Sequence, residues 1–328
     1  RDPENRKAAQ PNVRGAFFLP TRLDPPPARH HNRLMKTADL AVRLDSFFHV
    51  ERYPSDDFAV IVEFCQEAGI PIQEYATGPF LHRFNGLMLN NAAEVRRVFT
   101  LVFPSGDVLA EVERRAAGDP ALIFPHHPMD FETSGRGLIA VGEEWLRRLR
   151  EAGVSLYSAH APLDCHEAVS TSRALARAAG VPAETTFAGY FGGHAGVYGR
   201  IEPTTFDEFC ERVRRACGLD RLEAKAHADR VERVAVVAGG AAYPPLMQEA
   251  LDAGCDTYLT GDFRVRHGGP WAEEHRPQFD AFVETVPLNL IGASHYGTEA
   301  LVLREDMLAF FRDLGLPAEF VPQADPWR

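Results

Sequence analysis

Lysine is almost missing from this chain: 328 residues hold three, Lys7, Lys36 and Lys225, and none follows a GxxxxG stretch. That excludes a P-loop, whose lysine must reach the nucleotide phosphates. GxSxG and GxGxxG are absent as well, which removes a nucleophile elbow and a dinucleotide-binding turn. Cysteine is sparse, five residues scattered without a CxxC pair, so neither a disulfide framework nor a zinc ribbon is expected. Reduced thiols and a cytoplasmic setting fit better, with Cys210 and Cys217 read as core residues. No apolar run is long enough to cross a bilayer. Positive charge is short too, 35 Lys and Arg against 46 Asp and Glu, a formal net charge of -11. Binding to DNA, RNA or an anionic membrane needs clustered positive charge, so a small molecule or another protein is the expected partner.

Residues 1–34 are rich in Arg and Pro, lack apolar periodicity and do not begin with Met. They read as a disordered or non-native extension, with Met35 as the native start and with His30 and His31 outside any preorganised site. From Met35 onward helix-like and strand-like segments alternate, which predicts an α/β fold.

An internal repeat refines that expectation. "VRRVFTLVFPSGDVLAEVERRAAGDPALIFPHH" (95–127) aligns without a gap with "VERVAVVAGGAAYPPLMQEALDAGCDTYLTGDF" (231–263). Each copy predicts a strand (Val98–Val102 and Val234–Ala238), a helix (Asp107–Ala116 and Pro245–Ala253) and a second strand (Ala121–Phe124 and Thr257–Thr260). Each is thus a β-α-β unit of the length a crossover requires. Beyond them, "VSLYSAHAPLD" (154–164) and "LNLIGASHYGTE" (288–299) each place an apolar strand before a His-x-x-x-acid motif.

The candidate chemical groups follow from this register. They are His126 with His127, His160 with Asp164, Asp262 with His267, and His295 with Glu299, each just past the carboxyl end of a predicted strand, where open α/β sheets present ligands. Singly, each has an ordinary structural explanation; Asp164 and Glu299, for instance, suit helix starts. Recurrence at matched places in two repeats favours a metal site, because His and carboxylate are the usual donors for zinc, manganese and iron. Neighbouring side chains on extended backbone point to opposite sides, so His126 and His127 are expected to serve two different ions. A carboxylate can bridge two metals, which makes Asp164 or Glu299 the candidate link.

HHP at 126–128, "YSAHAPLD" at 157–164, "YLTGDF" at 258–263 and "GASHYGTE" at 292–299 together resemble the Nif-three-like dinuclear metal-centre family, the GTP cyclohydrolase 1 type 2 homologues. "GGHAGVYGRIEP" (192–203) and "VAVVAGGA" (234–241) fit the same pattern, and the resemblance runs from about Met35 to Leu314. It implies two intertwined three-layer α/β lobes, 35–200 and 201–328, sharing a metal site in the short form without an inserted domain, and a homohexamer. It also implies two divalent ions per chain (Zn, Fe, Mn or Ni), held by His126, His127, Asp164, His295 and Glu299 with Glu299 as the bridge. His160 would act beside them as a proton carrier or substrate contact.

Three departures from the family pattern stand out. "HRFNGLML" (82–89) has Phe84 and Asn85 where an aspartate motif is usual, "VFPSGD" lacks a common leucine-aspartate pair, and His267 arrives one residue late in "FRVRH". The expected activity is metal-dependent hydrolysis, with His160 and Glu299 as catalytic groups and a purine nucleotide or a phosphate ester as substrate. Two readings stay open for the Gly-rich 192–199 segment: a loop that folds over the site, or an ordinary turn cluster. The alternatives are a metal-binding regulatory, chaperone or scaffold protein without catalysis, and a mononuclear enzyme.

Overall fold

The computed structural model describes residues 34–131 and 137–325. Apart from Leu34, the expectations for the 1–34 segment, including His30 and His31, lie outside the described residues.

Successive side chains on a strand enter opposite cores, and this explains how the sheets form. Along Arg97–Leu101, Val98 faces one core while Phe99 and Leu101 face another; along Val231–Gly240, Val234 and Val236 alternate in the same way with Ala235 and Val237. Every residue of Ala121–Pro125, Val154–Ser158, Thr257–Asp262 and Asn289–Gly292 is buried, as strands covered on both faces must be.

The result is a mixed α/β fold with two principal sheets. The first has the order Ala318–Phe320, Arg97–Leu101, Ala121–Pro125, Val154–Ser158, Gly86–Leu89, parallel except for the last strand. The second has the order Glu223–Lys225, Asn289–Gly292, Thr257–Asp262, Val231–Gly240, Gly193–Thr204, Thr185–Tyr190, with its middle three strands mutually parallel. The predicted repeat is present in both and runs one helix and one strand further. Gly106–Ala116 and Glu143–Glu151 connect the parallel strands of the first sheet; Pro244–Asp252 and Pro270–Thr285 connect those of the second.

The largest core lies between the sheets. It gathers Val98, Leu122 and Phe124 from one, Val234, Val236, Leu259 and Ile291 from the other, and the helices Thr171–Ala179 and His295–Arg304. In His295–Arg304 only Tyr296 and Arg304 escape full burial, the pattern of a helix covered all round. Cys217 is buried and Cys210 packs against this core, as expected of core cysteines. No helix among the described residues is long and apolar enough to cross a membrane.

Three local features bear on the expectations. The Gly-rich segment is not a loop over the site but a hairpin: Gly193–Thr204 pairs with Thr185–Tyr190 on one side and with Val231–Gly240 on the other. Its glycines answer to crowding, since a Cβ at Gly199 would overlap the carbonyl oxygen of Pro182. The expected boundary between residues 200 and 201 falls inside this same strand, and Ala318–Phe320 returns to pair with Arg97–Leu101. Asp164 and Glu299 are not the opening residues of their helices; each lies four residues into a helix that its histidine opens, His160–Asp164 and His295–Arg304.

Gly199→Ala forces a methyl group against backbone that has no room to yield. Urea unfolding is expected to show a loss of about 1–3 kcal/mol, the usual cost of overpacking. A change indistinguishable from zero would show that the strand is not fixed by this approach.

Candidate metal centre

All the donor groups arrive from the carboxyl ends of parallel strands. His126 and His127 follow Ala121–Pro125 and stay tied to the neighbouring strand, their N–H groups donating to Leu101 O (3.0 Å) and Val102 O (3.1 Å). His160 and Asp164 follow Val154–Ser158, and His295 and Glu299 follow Asn289–Gly292. Helical i, i+4 spacing puts each acid beside its histidine. His295 Nε2 is 3.0 Å from Glu299 Oε1, and His160 Nε2 is 3.7 Å from Asp164 Oδ2. Ser294, just before His295, holds φ 69°, a left-handed value that is costly for a residue with a Cβ.

The six predicted residues converge. Glu299 Oε2 is 2.8 Å from His127 Nε2 and 3.2 Å from His126 Nδ1, while its other oxygen faces His295. One carboxylate thus presents its two oxygens to different imidazoles. On the far side, His126 Nε2 is 3.2 Å from Asp164 Oδ1, which also accepts from Thr171 Oγ1 at 2.6 Å. His126 and His127 do not point apart: their facing ring nitrogens are 3.2 Å from each other. They lie past Pro125, the last residue of the strand, where strict alternation no longer applies.

Burial sets the electrostatics, since every one of these groups but the half-buried Asp164 is almost wholly removed from water. Burial works to raise the Glu299 carboxyl, but His295, His127 and His126 hold it well below the carboxylate range. For His126 burial works downward, and the Asp164 and Glu299 charges overcome it, lifting the imidazole to about 10. Burial keeps His127 well below its ordinary value, with the charge of His126 adding to it against the pull of Glu299. His160 and His295 are raised against their burial, by Asp56 and Glu299 respectively.

This donor set fits a divalent cation. His127 Nδ1 is buried without a hydrogen-bond partner, and His126 Nε2 has only the Asp164 carboxylate at 3.2 Å, outside hydrogen-bond geometry; such an arrangement costs free energy unless something else satisfies the nitrogens. Two overlapping groups have ligand atoms within 4.8 Å of one another: His126, His127 and His160, and His127, His295 and Glu299. Nearby backbone is stripped to admit them, for a Cβ at Gly239 would overlap Glu299 Oε1. Phe103 stacks on His127 (4.6 Å between ring centres), Phe131 lies 5.0 Å from His295 and Phe58 lies 4.7 Å from His160. The cluster opens into a cavity of about 580 Å³.

Asp262 and His267 line that cavity outside the two ligand groups, though the Asp262 charge helps to raise His295. Asp262 faces Arg266 at 3.4 Å, and the His267 ring stacks on Trp271. Sequence reasoning missed Asp56. Fully buried, it accepts from the Ala161 N–H (2.9 Å) and from Asn85 Nδ2 (3.0 Å), and its Oδ1 is 2.9 Å from His160 Nδ1. Burial works against its charge, but His160, Asn85 and Ala161 hold its pKa below the ordinary aspartate value. Asn85 Oδ1 also accepts from the His160 N–H at 2.9 Å. A departure in the "HRFNGL" motif marked Asn85 in the sequence, whereas nothing marked Asp56.

Known proteins share this framework. A GTP cyclohydrolase 1 type 2 homologue of Deinococcus radiodurans is 28% identical over 240 residues, covering 72% of this chain and 84% of that protein. Another from Borreliella burgdorferi is 26% identical over 288 residues, covering 88% and 98%. Among solved structures, the protein ybgI, described as of unknown function, superposes with a TM-score of 0.64 at 20% identity, covering 89% of this chain and all of that one. Reduced HcgD from Methanocaldococcus jannaschii gives 0.62 at 20% identity, covering 89% and 99%. A family model matches residues 82–320, and the chain accordingly belongs to the Duf34/NIF3 (NGG1p interacting factor 3) family.

Proposed function

We propose that this protein is a hydrolase dependent on two divalent metal ions, built as two intertwined lobes in a homo-oligomer. The observation that carries the reading is the split of Glu299, one oxygen toward His295 and the other toward His126 and His127. His127, His295 and Glu299 would hold one ion; His126 and Asp164 would hold the other, with Glu299 between them. When bound, such ions would supply acidified water and polarise the bond to be broken.

The chain's own residues do the rest. His160 commits Nδ1 to Asp56 and turns Nε2 toward Asp164 and the cavity, so Nε2 is the atom that gives or takes a proton. Phe58, Phe103 and Phe131 wall the donors with apolar rings and keep bulk water out, which strengthens every charge interaction inside. The relatives' name, GTP cyclohydrolase 1 type 2 homologue, favours a purine nucleotide as substrate; a phosphate ester suits the same donors.

Metal analysis after reconstitution tests the centre. Two ions per chain are expected in the wild type, with most of both lost from Glu299→Gln and mainly one lost from His126→Ala or His295→Ala. A single ion in the wild type, or equal loss of both from each histidine variant, would contradict the division. A screen of metal-loaded protein against nucleotides, phosphodiesters and cyclic amides tests the activity. Tight metal binding with no turnover in any class would point instead to a regulatory or scaffold role.

Asp56→Asn keeps the shape but removes the charge that orients His160. On whatever substrate the screen finds, turnover is expected to fall by about 10²-fold while bound metal stays at the wild-type level. Unchanged turnover would remove His160 from the proton transfer.

A further inference from the structure

We propose that the mouth of the cavity is a stacking site for the base of a nucleotide, formed by Tyr243 and Trp271; this rests on the metal-centre reading and names what occupies the space beside it. Large hydrophobic side chains are seldom left in water here. Five are exposed among the described residues, and Tyr243 (44%) and Trp271 (40%) are two of them. They are not scattered: their ring centres are 5.8 Å apart, and both line the cavity that holds the donor cluster.

Position explains how they come together. Tyr243 follows the strand Val231–Gly240 and caps Pro244–Asp252, and Trp271 opens Pro270–Thr285 after the strand Thr257–Asp262. Both therefore stand at the same sheet end as His295 and Glu299. Phe279 fixes the pair from behind, 6.0 Å from Tyr243 and 5.9 Å from Trp271, and His275 stacks on Trp271 at 4.7 Å. A braced aromatic pair loses little entropy on meeting a flat ligand.

The fold itself does not ask for these rings. In the gapless repeat Tyr243 corresponds to Asp107, so the first β-α-β unit forms with a charged residue at that place. The cavity also has two unlike ends, a mouth with two exposed rings and a floor of imidazoles and carboxylates suited to divalent ions. Metal ions take phosphate oxygens, and aromatic faces take bases of any sequence. A ligand with a flat heterocycle at one end and an anion at the other matches both ends together, and a nucleoside monophosphate is such a molecule.

Calorimetry on the metal-reconstituted full chain tests this with GMP and, as the probe lacking a base, ribose 5-phosphate. GMP is expected to bind the wild type more tightly than ribose 5-phosphate. Trp271→Ala and Tyr243→Ala should each weaken GMP by roughly 5- to 150-fold while leaving ribose 5-phosphate unchanged. Trp271→Phe, which keeps a flat ring, should recover most of the loss. Equal affinity for the two probes, no GMP binding by the wild type, or alanine variants that bind GMP normally would each overturn the proposal. So would a change in assembly size in those variants without a change in GMP affinity, which would make the rim a contact between chains. Ion content measured on the same samples separates the two readings. Full metal with no preference for GMP sinks the base site alone, and a preference for GMP without turnover in any class sinks the hydrolase alone.

Discussion

The buried carboxylate of Glu299 is the constraint on which the rest of the structure depends. An ionised acid at that depth is tenable only if cations or strong donors surround it, because lost hydration costs several kcal/mol per charge. The chain meets the requirement with His126 and His127 from the first repeat and His295 from the second. Those imidazoles are themselves buried, and His127 Nδ1 has no hydrogen-bond partner at all. A cluster of this kind is an unfavourable core and a favourable cation site at once.

Bringing Glu299 there fixes much of the architecture. The helix that carries it runs between the two sheets and is buried nearly all round, so its position is set by packing from both sides at once. The strand Val231–Gly240 must then pass close beside it, and Gly239 leaves the room a side chain would fill. Precision at the site therefore comes from helices and strands rather than from mobile loops, as tight placement of donors requires.

Particular residues show why some of this was readable in the sequence and some was not. The repeat was legible because the two segments align without a gap, and Val98 and Val234 occupy the same place in their sheets. His160, Asp164, His295 and Glu299 were legible because i, i+4 spacing on a turn is a local property. The convergence of His126 and His127 was not, since the alternation rule holds within a strand and they stand beyond its end. The Gly-rich segment misled because glycine marks crowding as readily as it marks flexibility, and at Gly199 crowding decides. Asp56 was invisible for another reason. Its partners lie 29 residues away at Asn85 and 104 away at His160, and no periodic signal links them.

The two repeats are alike in backbone and unlike in chemistry, and that difference is what makes a site between them. Where the first unit places His126, the second places Asp262, which lies 3.4 Å from Arg266. Where the first has Asp107, the second has Tyr243. Two identical halves would crowd the centre with like groups, either imidazoles repelling when protonated or carboxylates repelling when not. Divergence lets one half supply the adjacent imidazoles and Asp164 while the other supplies Glu299, His295 and an aromatic mouth. The repeated strand-helix-strand frame fixes where side chains emerge, and substitution at matched positions decides which of them hold charge and which face the cavity entrance.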